Sequence, residues 1–184
     1  LESLFLIGEL RVSEPMTHAR LRSLTLLSEP LDPDSARCIL ESPCPALTHL
    51  TLGTSFEGRS TADAAIADAI TKEALPALKS LTITCTEDPE RIVQRVTSSG
   101  LLARLDVLRM CIDDDERTDA CAEYVCENSD AFAHLKELAL GSENMQVSPD
   151  IAAKLEGKVA LRVCGRAFDP ASYDFRAYAP DERT

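Results

Sequence analysis

One short apolar pattern, L-x-x-L-x-L, returns along this chain and constrains its fold more than any other feature. It occupies Leu1-Leu4-Leu6, Leu21-Leu24-Leu26, Leu47-Leu50-Leu52, Leu78-Leu81-Ile83, Leu105-Leu108-Met110 and Leu135-Leu138-Leu140, with starts 20 to 31 residues apart. Within each copy the last apolar residues alternate, as on one face of a β-strand. A signature returning at such a period marks stacked supersecondary units, each burying its apolar side against the next. Val159-Leu161-Val163 alternates in the same way and predicts one more strand.

Between the strand motifs the apolar period becomes helical. Asp32-Pro33 and Asp88-Pro89 each place an N-capping Asp before a Pro at the first helical position. Ser60 and Asp63 have capping-box spacing ahead of Ile66 and Ile70, which lie one turn apart. Thr118 is expected to start the helix carrying Cys121, Tyr124 and Val125. Ser148-Pro149 opens a further helix, with Gly157 at its C′ position. The interval from Leu1 to Leu21 is too short and too interrupted by Pro for a full helix. The predicted fold is therefore α/β, a solenoid or horseshoe of about seven parallel strands on a concave face with helices on the convex face. The strands centre near Leu4, Leu24, Leu50, Leu81, Leu108, Leu138 and Leu161, and Gly53–Arg59 is an enlarged rim loop.

The repeats should span residues 1–164, and residues 165–184 break their pattern. Phe168, Tyr173, Phe175 and Tyr178 fall in that last segment, which is expected to cap the final repeat. Leu1 already begins a strand motif. The N-terminal edge is thus expected to be covered by residues preceding it or by another chain, since a terminal repeat exposes one side of its core.

The segments ALPALKSLTI, LLARLDVLRM and AFAHLKELAL, with the six motifs, resemble the ribonuclease-inhibitor-like class of leucine-rich repeats. More narrowly they resemble bacterial leucine-rich-repeat proteins of uncharacterised function. The resemblance runs to about Val163 and implies binding of another protein by the concave sheet or a rim, with no catalysis and no cofactor. One departure matters. The Asn usual three residues past the last strand leucine is here Glu29, Ser55, Thr86, Asp113 and Glu143, so the turns must satisfy their backbone groups in another way.

Composition narrows the partner. A net charge of −12 opposes general binding to nucleic acid or anionic membranes. No apolar run approaches the roughly 20 residues of a membrane span, and no signal peptide is visible. The seven cysteines form no CxxC pair or Cys/His cluster, so neither a disulfide framework nor a zinc site is indicated, and the expected compartment is the cytoplasm. Cys38 and Cys121 read as small buried hydrophobes.

No catalytic or metal-ligating constellation is evident. His18, His49 and His134 are far apart, and the scattered glycines form no phosphate loop. The run Asp113-Asp114-Asp115-Glu116 lacks the spacing and turn glycine of a calcium loop and reads as a solvated loop ahead of a helix. The candidate protein-binding residues are those that the motif points away from the core: Arg22, His49, Lys79, Arg109 and Lys136. With Lys158 and Arg162, six cations oppose Glu2, Asp106 and Glu137 on this face, a local excess of three positive charges that hints at an acidic partner. The rival expectation is a substrate-recognition part of a larger catalytic or sensor protein, such as a ubiquitin-ligase-type adaptor.

Overall fold

The computed structural model describes residues 1–9, 11–15, 17–28, 31–53, 63–71, 73–84, 88–142 and 146–163. Its strands are β1 (Ser3–Gly8), β2 (Ser23–Ser28), β3 (His49–Gly53), β4 (Ser80–Thr84), β5 (Val107–Cys111), β6 (Glu137–Leu140) and β7 (Leu161–Val163). They pair in parallel, in chain order, in a single sheet. The register superimposes the motifs: Leu24 lies between Leu4 and Leu50, and Leu81 between Leu50 and Leu108. Each leucine therefore meets its counterparts from the units on either side. Residues 165–184, with the expected aromatic cap, and most of the expected rim loop lie outside the described residues.

The helices are α1 (Pro33–Leu40), α2 (Asp63–Ala69), α3 (Pro89–Ser98), α4 (Asp115–Glu127), the short α5 (Ser129–Phe132) and α6 (Pro149–Leu155). Successive helices pack side by side, α1 on α2, α2 on α3, α3 on α4 and α4 on α6. Their apolar faces, including Ile39, Ile66, Ile92, Val96 and Val125, share one buried cluster with the strand leucines. No helix occurs among the described residues between β1 and β2, as the short first interval requires.

The caps follow the local sequence. Asp32 accepts hydrogen bonds from the amides of Asp34 (3.1 Å) and Ser35 (3.0 Å) and from the Ser35 hydroxyl (2.6 Å). Those bonds, the hydroxyl first, hold its carboxyl below the usual carboxylate range. Asp88 accepts from the Arg91 amide at 3.2 Å. Each such cap contributes about 1 kcal/mol. The expected start at Thr118 is corrected. Asp114 caps α4 by accepting from the Arg117 amide at 2.9 Å, so the helix begins three residues before Thr118, at Asp115. Asp114, Asp115 and Glu116 of the acidic run are therefore the cap and first turn of α4, and only Asp113 lies ahead of it. Their carboxylates face the positive end of the helix. Thr118 is fully buried in that turn, and its hydroxyl donates to the Asp114 carbonyl at 2.8 Å.

The backbone repeats as regularly as the leucines. The carbonyl before each of the strands β1 to β5 accepts two amides from the following segment. Glu2 accepts from Arg22 and Ser23 (2.7 and 3.1 Å), and Arg22 from Thr48 and His49 (2.8 and 2.9 Å). Thr48 accepts from Lys79 and Ser80 (2.9 Å each), Lys79 from Asp106 and Val107 (2.8 and 3.1 Å), and Asp106 from Lys136 and Glu137 (2.8 and 3.3 Å). Side chains add further ties. His134 Nε2 lies 2.9 Å from the Leu102 carbonyl, and Arg104 donates to the Pro76 carbonyl at 3.2 Å. Where the usual Asn is absent, the residue one place earlier is a buried serine at Ser28 and Ser142. Gly53 marks a close approach: with φ at +157°, a Cβ there would overlap the hydroxyl and carbonyl oxygens of Thr84.

Candidate functional site

Alternation along the strands divides the sheet into two unlike faces. On the inner face, Leu50, Leu52, Leu81, Ile83, Leu108 and Met110 are buried. The outer face carries two registered rows, Ser23–His49–Ser80–Val107–Glu137 and Thr25–Thr51–Thr82–Arg109–Ala139. His49 is exposed, the hydroxyl residues of both rows are half-buried, and Ala139 is buried. In the next row along, Leu27 and Thr84 are buried, while Cys111 is half-buried and Ile7 in the edge strand is exposed. A parallel sheet is ordinarily covered on both faces by helices. Here the polar residues of the outer rows keep contact with solvent, and the helices share their core with the inner rows.

The candidate residues fall into two sets. Arg22, Lys79 and Lys136 do not lie within strands; each is the residue just before one, on the rungs of the carbonyl ladder. The accepting residues read Glu2, Arg22, Thr48, Lys79 and Asp106, and Lys136 donates its amide to the last of them, so cations and anions intermingle along the edge. Lys136 Nζ lies 3.5 Å from an Asp106 carboxylate oxygen, and Lys79 Nζ donates to the Arg104 carbonyl at 3.1 Å. His49 and Arg109 do sit within strands, on the outer rows.

Arg109 is not an unpaired cation. Its Nε and Nη2 donate to the two Glu137 carboxylate oxygens at 2.7 and 3.2 Å, a two-point fork on the sheet surface. Both side chains are less than a third exposed, at 28% and 22%. Arg109 and Lys136 are thus each matched by a carboxylate already counted on this face, Glu137 and Asp106, so the expected local excess of three positive charges falls to the other residues. The signal for the fork was present in the chain. Laying Leu135–Leu140 under Leu105–Met110 puts Glu137 on the diagonal from Arg109.

His49 has a defined hydrogen-bonding side. Its Nδ1 lies 2.9 Å from the Thr48 hydroxyl oxygen, which is 3.1 Å from the Arg22 carbonyl. A hydroxyl that donates to the carbonyl accepts from the ring, which places the proton of neutral His49 on Nδ1. Partial burial, and then the Arg109 charge, holds its pKa below the ordinary 6.5.

Acidic residues also gather at helix N-termini. The N-caps and first turns of α1, α3 and α4 carry Asp32, Asp34, Asp88, Glu90, Asp114, Asp115 and Glu116. These seven of the 31 acidic residues lie at helix starts rather than in strands. The free cysteines among the described residues are Cys38, Cys44, Cys111, Cys121 and Cys126. Cys44 and Cys121 are buried, whereas Cys38 is only half-buried, which corrects its expected place in the core. Burial, then Glu90 and Asp88, pushes the Cys121 thiol up to about 12. Among the described residues no cluster of His, Cys, Asp and Glu could hold a metal ion, and no helix is long and apolar enough to cross a membrane.

No protein-family model and no curated protein matches the chain. It is similar in fold to a protein from Bacteroides fragilis known from its crystal structure, with a TM-score of 0.64 and 21% sequence identity. The match covers 84% of this chain and 44% of that one, so the chain spans less than half the length of that protein.

Proposed function

We propose that this chain is a leucine-rich-repeat horseshoe that binds another protein through the outer face of its sheet, without catalysing a reaction. The observation that carries the reading is the polar, solvent-contacting face of a parallel sheet, a surface that most parallel folds cover with helices. The recurring carbonyl ladder and superimposed leucines support the repeat architecture, because equivalent residues of successive units meet the same partners. On such an array, side chains from units far apart in sequence form one surface. The contact would centre on His49, Arg22 and Lys79, beside the half-buried hydroxyls of Ser23, Thr51 and Ser80. Free cysteines fit a reducing compartment such as the cytoplasm.

The test is affinity capture with the full-length protein, native against an Arg22→Glu, His49→Glu, Lys79→Glu variant. These three side chains are exposed, so the variant should keep its circular dichroism spectrum and melting temperature. The expected result is a partner held by the native protein and lost by the variant. Retention of every partner by a folded triple variant would exclude the sheet face and leave the loop after Gly53 as the place to look. Arg109 is left intact, because reversing it would set two carboxylates side by side and confuse lost binding with lost stability.

A further inference from the structure

We draw no further inference here: the strongest candidate, the open outer edge of β1, where Leu1 and Ile7 are exposed, carries nothing because nothing in the structure shows what covers it.

Discussion

Replacing Leu81 by Ala tests whether the sheet draws its stability from leucine stacked on leucine. Leu81 is fully buried in β4, and its register partners Leu50 and Leu108 are at most 1% exposed. Truncation to Ala removes the transfer energy of the lost methyl groups and leaves a space that the neighbouring strands cannot close without shifting their register. For a site so enclosed the expected cost is about 3–5 kcal/mol, a large share of the roughly 5–15 kcal/mol that holds a domain together. The same change at Leu6 gives the contrast. Leu6 lies in the edge strand, is only half-buried, and has a partner, Leu26, on one side only. Its loss should cost about 1 kcal/mol. Urea titrations followed by circular dichroism at 222 nm (a wavelength set by the helices) would report both values from midpoint and slope. Leu81→Asp should go further and abolish the cooperative transition, since a carboxylate there would have no water and no partner. If Leu81→Ala costs no more than Leu6→Ala, stacking of the inner rows is not what stabilises the middle of the sheet.

Three further outcomes are expected. Arg109→Glu should lower the melting temperature by several degrees, because about 1–2 kcal/mol is lost when the fork to Glu137 becomes a repulsion; the Arg109→Glu, Glu137→Arg double variant should recover most of it, and no recovery would mean the pair is not coupled. His49 should titrate below 6.5 by proton NMR. As pH falls below 6.5 the unfolded ring takes its proton first, so stability should decline from there toward the lower folded pKa, and His49→Asn should flatten that part of the profile. A folded-state value at or above 6.5 would contradict the assigned surroundings. Cys121, with its thiol near 12 and no exposure, should resist iodoacetamide at pH 8 until the protein unfolds; labelling at the rate of a free thiol would place it outside the core.

The leucine motifs and the Asp-Pro pairs were enough to give the strands, the α/β class, the starts of α1 and α3 and the outward positions of His49 and Arg109. These are local matters: a period of two, a period near 3.6 and an N-cap each express themselves within a few residues. Thr118 misled because its place in the first turn of α4 depends on which of several neighbouring acids wins the cap, and Asp114 does so through the Arg117 amide. The tertiary structure alone decided which charges remain available. Glu137 and Arg109 are 28 residues apart in the chain and 2.7 Å apart in space. Nothing local sets that distance; it comes from parallel register, which places each unit against the next. The same register put Asp106 between Lys79 and Lys136, and so decided which cation each carboxylate neighbours. Sequence determined what each unit is, and stacking determined what the units present together, because side-chain pairing across strands exists only once the strands are in register.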